Sequence, residues 1–320
     1  MNYEEFAADL QLARTIVFGS AEENEETMRR YGVKQEVRQI GKGRFRSHLA
    51  VRSTAQAEFF SDRFSTALSM RLEPPAGTVG LLFPLSASGQ FLASGDNVAN
   101  GKLVVLPDGS GTDIVGPDLV GSEAILVAEP RFVEMLEVLC PTRKSRWLDQ
   151  MAVIQGDAAQ LRALRNAVLD LVAHPGLEPH PEEVSNLLAA TIAWMADSSR
   201  QWRQEGFRVN GARRRVAKLA QEFLEEHYRE AVRIEDLCRL TGVGIRSLQR
   251  AFREYFDLTI SDYLKAVRLD AARRVLVATR SSERTVAKIA LRHGFNHLGR
   301  FSVEFRERFR ESPREALARR

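Results

Sequence analysis

The chain has 320 residues, 44% of them apolar and 28% charged, with Gly 21, Pro 11 and a formal net charge of +4. That length implies about two domains, and that composition excludes a mainly disordered, collagen-like or Pro/Gly-rich chain. The small net charge hides two parts of opposite sign, because residues 211–320 carry 25 basic and 15 acidic side chains, a net +10, whereas residues 1–210 stand at −6.

Residues 1–32 are acidic and helix-prone, and they lack the apolar core of a secretory signal. From Val33 to Val127 the texture changes to short apolar runs such as Thr78–Leu85, Lys102–Leu106 and Ala124–Val127. Breakers such as Pro74-Pro75-Ala76-Gly77 and Pro107-Asp108-Gly109 separate them, which predicts a β sandwich or barrel. The stretch Thr54–Met70 is open between strand and helix.

One part of the β region has a chemical reading. If Lys42–Leu49 is a strand, Phe45 and Leu49 share one face, and Lys42, Arg44, Arg46 and His48 share the other. A cationic face of this kind suits an anionic small molecule, a cyclic dinucleotide included, since a guanidinium pairs with phosphate and stacks on a base. Arg143, Arg146 and Trp147 form a second basic and aromatic cluster suited to the same ligand. An exposed or salt-bridged strand face is the alternative, and a pocket around Phe83 and Phe91 for an uncharged ligand is a third reading.

Catalytic and metal chemistry lack their residues. His48 is the one histidine in the β region, Ser86 and Ser88 have no nucleophile motif, and Gly41-Lys42-Gly43 is no phosphate loop. Cys140 and Cys238 are too few for a disulfide framework. We therefore expect no catalytic residue, no metal and no enzyme.

Two apolar stripes follow at helical spacing. They are Leu161, Leu164, Val168, Leu171 and Val172, then Val184, Leu187, Leu188, Ile192 and Met195. They predict a helical hairpin, which packs within the chain or dimerises. The most apolar window, Leu187–Ala196, is about half a membrane span. A linker is expected near Gln204–Ala212.

The last third repeats itself. Ile234, Leu237 and Leu240 form one helix face, Thr241–Gly244 a turn, and Ile245, Leu248, Ala251 and Phe252 the buried side of a second helix. Arg246, Gln249, Arg250 and Arg253 then face outward. A long helix starts at a Thr259/Asp262 capping box. The plan recurs with Val286, Ile289 and Ala290, the turn His293-Gly294-Phe295, and the anchors Phe301 and Phe305. Ser312-Pro313-Arg314-Glu315 opens a last helix. A helix of this size fits the major groove, where Arg pairs with guanine and Gln with adenine.

Gly294-Phe295, Phe301, Phe305, Phe309 and Ser312-Pro313, with Leu237, Gly242, Leu248, Phe252, Phe256, Tyr263, Arg268 and Leu276 upstream, resemble the signature of the AraC/XylS family of transcription regulators. The resemblance implies seven helices with two helix-turn-helix motifs joined by the long helix. It maps base-reading positions onto Arg246, Gln249 and Arg250, and onto Asn296, His297, Leu298, Gly299 and Arg300. There are departures. Val303 stands where many relatives carry Arg, Gly244 and Gly299 replace Ser at two helix starts, and Asp257 and Arg310 replace Gly. The second helix is therefore expected to read bases weakly. Phosphate contacts are expected from Arg253, Lys265, Arg273, Arg306, Arg308 and Arg213–Arg215.

The expectation is a multidomain α+β protein. Residues 1–150 form a β-rich, cupin-like effector domain, 151–210 a helical hairpin for dimerisation and linkage, and 211–320 a DNA-binding domain. It is expected to be cytoplasmic, off the membrane, homodimeric, bound to promoter DNA with RNA polymerase as partner, and controlled by a small-molecule effector, with activation the expected sign. The alternative is an effector-independent DNA-binding protein whose β domain only dimerises.

Overall fold

The structure, a computed structural model, describes residues 1–10, 15–87, 89–99, 101–109, 111–139, 150–174, 178–201, 211–279 and 285–318. The chain divides into two compact units, one of Met1–Val37 with Arg46–Arg208, the other of Arg38–Phe45 with Val209–Arg320.

The first unit opens with α1 (Tyr3–Phe6) and a 3-10 turn at Ala8–Leu10, followed by β1 (Ile16–Phe18) and α2 (Ala21–Arg30). Then come β2 (Lys34–Gln39), β3 (Ser47–Ser53), β4 (Ala57–Phe64), β5 (Leu68–Glu73) and β6 (Thr78–Ser86). β7 (Leu92–Ala93), β8 (Asp96–Asn97), β9 (Lys102–Leu106), β10 (Thr112–Gly116) and β11 (Val120–Ala128) complete the main β region. The open stretch Thr54–Met70 is thus strand. α3 (Glu129–Leu139), β12 (Ala152–Gln155), α4 (Ala158–Ala173) and α5 (Pro181–Gln201) follow.

The strands form two sheets, ordered β1-β3-β4-β11-β6-β9-β12 and β2-β5-β10-β7-β8. In the larger sheet β11 is the hub, placing Ala124 opposite Phe60 of β4 and Leu82 of β6. Strand alternation gives this sheet two different faces. Phe59 of β4 shares a core with Leu81, Val105, Phe132, Leu161 and Leu188, which is the helix-covered side. Phe60 packs instead with Met28, Val33 and Leu49 on the other side.

The predicted hairpin is α4 and α5, and its stripes are buried within this unit. Leu161, Val168 and Val172 of α4 and Val184, Leu188, Ile192 and Met195 of α5 belong to the same core as Phe59. The sheet therefore occupies the apolar faces, and any pairing of two copies through these helices uses their remaining faces. Asp157 caps α4 by accepting from the Gln160 N–H at 2.7 Å.

The expected strand Lys42–Leu49 forms only from Ser47. Lys42, Arg44 and Arg46 lie in the loop before it, where Gly43 sits at φ +134°. Side chains alternate only on continuously extended backbone, so the expected single cationic face with His48 does not form.

The second unit is helical: α6 (Gly211–Glu226), α7 (Ile234–Thr241), α8 (Ile245–Phe256), α9 (Ile260–Ala278), α10 (Val286–Arg292), α11 (Leu298–Phe309) and α12 (Pro313–Ala318). The long α9 serves both halves. Its Tyr263 meets the rings of Phe252 and Phe256, and its Leu269, Ala272 and Leu276 share a core with Phe301, Phe305 and Phe309. Both predicted caps of the half-boundaries are present. Thr259 Oγ1 accepts from the Asp262 N–H at 3.1 Å, and Ser312 and Glu315 bond reciprocally at 2.6 and 3.2 Å.

Candidate nucleic-acid interface and interior cavity

In the first helix-turn-helix, Leu248, Ala251, Phe252 and Phe256 are buried, while Arg246, Gln249, Arg250 and Arg253 are exposed. Arg250 Nε donates to Glu254 at 2.7 Å, one turn along α8, and Glu254 also pairs with Arg213 at 2.9 Å. Surface pairs of this kind are worth under about 1 kcal/mol, so a phosphate or base edge competes readily for Arg250. Two expected core positions are instead on the surface: Leu240 is 45% exposed and Ile245, the first residue of α8, 44%. Leu240 lies near the C-terminal end of α7, and Ile245 borders the groove between α8 and the start of α9.

In the second motif Phe301, Phe305 and Phe309 are buried, and Asn296, His297, Leu298, Gly299 and Arg300 are exposed. Gly294 takes φ +81° in the turn, and a Cβ there would meet the Arg268 guanidinium at 3.0 Å. Arg268 is held by the Tyr228 and Glu230 carbonyls, each at 2.7 Å, so glycine is needed on both counts. The N-cap of α11 is His297, not Gly299. Gly299 therefore lies inside the first turn of the helix, whereas Gly244 is a true N-cap of α8.

Both motifs border one another along α9. A groove of about 740 Å³ beside α8 is lined by Arg246, Gln249 and Arg250 together with Ser261 and Leu264. A second, of about 250 Å³, is lined by Asn296, His297 and Arg300 with the same Ser261 and Leu264. The start of α9 thus lies between the two outward-facing helices. Ser261 carried no signal in the sequence, and Leu264 read only as one more apolar residue of the long helix, whereas it is half-buried at the groove.

Two expected phosphate contacts have structural roles. Arg273 is buried, pairs with Glu311 at 3.0 Å and covers the Phe309 ring. Arg308 is partly buried and donates to the Gln39 carbonyl at 2.7 Å. A buried guanidinium has to be paired, which takes it away from a ligand surface. Arg253, Arg306 and Lys265 remain at or near the surface, with Lys265 3.5 Å from Glu304.

Residues Arg38–Phe45 pack within this helical unit. Arg38 donates to Glu225 at 2.8 Å and to the Tyr263 hydroxyl at 3.0 Å, and that hydroxyl donates to Glu225 at 2.6 Å. Gln39 Nε2 donates to the Arg308 carbonyl at 2.7 Å, and Lys42 pairs with Glu307 at 2.7 Å.

Arg46 and His48, also expected on the cationic face, belong to the first unit. Arg46 pairs with Glu4 at 2.6 Å. His48 is buried and bonds the Tyr3 hydroxyl at 2.7 Å, and burial holds its imidazole below the usual range. Arg143, Arg146 and Trp147 lie outside the described residues.

The first unit contains a cavity of about 70 Å³ between its two sheets. Phe60 and Phe64 of β4, Met70 of β5, Leu82 of β6 and Phe91 line it, with Gln35, Asp62 and Ser122 as its polar members. Asp62 is its charged lining residue, and burial pushes that carboxyl up to about 6. Only once Ala57–Phe64 is known to be a strand does alternation set Asp62 between Phe60 and Phe64 on one face. Phe83, by contrast, faces the helix side, in the core with Phe59.

A helical domain with two such motifs, anchored inward by aromatics and basic outward, is built for the major groove. Residues 237–319 match the domain family described as "Helix-turn-helix domain". The transcriptional activator RhaS of Salmonella schwarzengrund (strain CVM19633) is 38% identical over 109 residues, which is 33% of this chain and 38% of that protein. The probable thc operon regulatory protein of Rhodococcus erythropolis is 35% identical over 102 residues, 32% of this chain and 31% of its own. The solved structure of a probable AraC family transcriptional regulator from Rhodopseudomonas palustris CGA009 is 33% identical, covering 33% of this chain and 96% of that one at a TM-score of 0.31. These curated relatives are thus matched over less than two-fifths of their length. The C-terminal domain belongs to the AraC/XylS family of regulators.

Proposed function

We propose that this protein is a sequence-specific DNA-binding transcription regulator, an activator, controlled by a small molecule held between the sheets of its first unit. The observation that carries the reading is the doubled motif whose apolar anchors are buried while Arg246, Gln249, Arg250, Asn296 and Arg300 are exposed. Arg246 and Gln249 reach base edges; Arg253, Arg306 and Lys265 supply phosphate contacts. The protein acts in the cytoplasm as a homodimer, with promoter DNA and RNA polymerase as partners.

Control runs through β2. Val33 and Gln35 stand at the cavity wall, and the same stretch of chain continues into Arg38–Phe45, which is bonded to α9 and α11. A ligand that shifts β2 pulls on the helices that present the reading faces. The cavity lining does not favour the cyclic dinucleotide: its one charged residue is a carboxylate, which repels phosphate. The anionic reading rests on Lys42, Arg44, Arg46 and His48, of which Lys42 and Arg46 are salt-bridged, and on Arg143, Arg146 and Trp147, which lie outside the described residues.

The test is a salt titration of binding to the DNA upstream of the coding sequence. Affinity should fall steeply with salt. Arg246→Ala should relax preference at one base position, while Lys265→Ala should weaken all sequences alike. Absence of any salt-dependent shift would sink the reading.

A further inference from the structure

We infer that the cavity between the sheets takes a compact apolar ligand bearing a protonated amine, bound by Asp62 Oδ2. The inference rests on the proposed ligand control and names the chemical class of that ligand.

The geometry leaves one oxygen of Asp62 for a ligand. Its Oδ1 accepts from the Ser122 N–H at 2.7 Å and from the Ser122 hydroxyl at 3.1 Å. Among the described residues no donor meets Oδ2, although the side chain lines the cavity. Arg63, the adjacent cation, does not serve this face. Its side chain runs to the opposite side of the sheet, where it pairs with Glu123 and Asp9, each at 2.6 Å.

Among the described residues that line the cavity, the facing elements add no competing charge. β5 brings Leu68, Met70 and Leu72, β10 brings Ile114, and β2 brings Gln35. Arg63 and Glu123, both behind the sheet, are the charged groups nearest in effect, and they act in opposite directions. A partly buried carboxylate without a cation is costly, and desolvation has already raised this one to about 6. An ammonium answers that cost with a charge-assisted hydrogen bond. The rings of Phe60, Phe64 and Phe91 give it aromatic surroundings, in which cations are also attracted to ring faces. An anion meets only repulsion here. An alcohol donates one neutral bond and gains about half as much.

Size narrows the class further. A cavity of roughly 150 Å³ accepts benzene, so one of about 70 Å³ suits on the order of four to six non-hydrogen atoms. Branched alkyl amines fit, and a nucleotide does not.

The experiment compares isobutylamine, isobutanol and isobutyrate on the full chain, by thermal unfolding and ligand-observed NMR. The amine should raise Tm most at pH 7.5. Its affinity should fall about tenfold at pH 5, because Asp62 is protonated below its pKa of about 6 while the amine stays charged. The alcohol should show no such pH dependence. Asp62→Asn keeps an acceptor for Ser122 and should abolish the preference for the amine while retaining the alcohol. If that variant does not fold, the pH profile of the wild type decides. Binding of isobutyrate equal to that of the amine, a flat amine profile, or no binding by any of the three would overturn the inference. DNA binding measured on the same sample separates the two levels. A protein that shifts DNA but ignores amines refutes the ligand class alone. A protein that binds amines but never DNA refutes the regulator.

Discussion

The two outward helices α8 and α11 share a scaffold and differ in what they present. Leu248, Phe252 and Phe256 of one correspond to Phe301, Phe305 and Phe309 of the other, and all six are buried. Each helix ends in a left-handed residue that is not glycine, Asp257 at φ 53° and Arg310 at φ 55°. At the same offset Arg246, Gln249 and Arg250 become Gly299, Ser302 and Val303. Val303 is 58% exposed, so its apolar side chain is not explained by packing. The inward pattern is what folding demands of both halves. The outward pattern is free to diverge, and it has shifted hydrogen-bonding capacity to α8. What α11 keeps is Asn296 and Arg300 at its start, plus apolar surface suited to a thymine methyl.

The sharpest test of the shared scaffold is truncation of its matched anchors. Phe252→Ala and Phe305→Ala should each cost about 3–5 kcal/mol, measured by urea unfolding. A cost under about 1 kcal/mol for either one would break the structural equivalence. The divergence is tested on the outer faces. Arg246→Ala should lose about 1–3 kcal/mol of discrimination at one base position, read from binding to a randomised operator library. Val303→Ala should change affinity by less than about 0.5 kcal/mol. Val303→Arg should add a guanine preference; a variant without one would show that α11 does not face base edges.

Most of this contrast was legible in the sequence, because inward aromatics at fixed spacing leave the outward residues by elimination. The same elimination misplaced Leu240 and Ile245, since periodicity gives a helix face and cannot show how much of that face its neighbours cover. Arg273 and Arg308 misled for a related reason. A basic residue reads as surface until a distant partner, Glu311 or the Gln39 carbonyl, buries it. The cavity was less legible still. Asp62 stands on a wall completed by strands from the second sheet, and such pairing is set by topology that no local pattern encodes. The cationic stretch Lys42–His48 failed because residues 41–46 are loop, with Gly43 at φ +134°, and not the extended strand on which the alternation depended.

The turns of the two motifs also differ, and pH separates them. Where the first motif has Thr241, bonded to the Leu237 carbonyl at 2.7 Å, the second has His293. His293 is buried against Tyr228, and burial lowers its imidazole to about 4. Its folded value lies below the ordinary 6.5, so the unfolded chain binds the proton first as pH falls. The stability it contributes is complete above about pH 6.5 and is lost progressively toward pH 4. Hydrogen exchange at pH 5 should therefore open α10 and α11 before α7 and α8. His293→Gln should remove the difference. Simultaneous opening of both motifs in the wild type would assign the acid sensitivity elsewhere.

The smallest effect lies at the helix ends. A side chain in the left-handed region costs about 1–2 kcal/mol, less for Asp, whose short polar side chain is tolerated there, than for Arg. Arg310→Gly should thus stabilise by about 0.5–1 kcal/mol, after the entropy that glycine adds to the unfolded chain is subtracted. Asp257→Gly should gain only a few tenths of a kcal/mol at most. Arg310 also places a positive charge at the C-terminus of α11, where the helix dipole favours it by about 0.3–1 kcal/mol. That term opposes the gain and is screened by salt. The benefit of Arg310→Gly should therefore grow between low and high salt, whereas that of Asp257→Gly should shrink, since it removes an unfavourable negative charge from the same kind of end. Equal responses of the two variants to salt would mean that backbone strain alone, and not end charge, distinguishes the two caps.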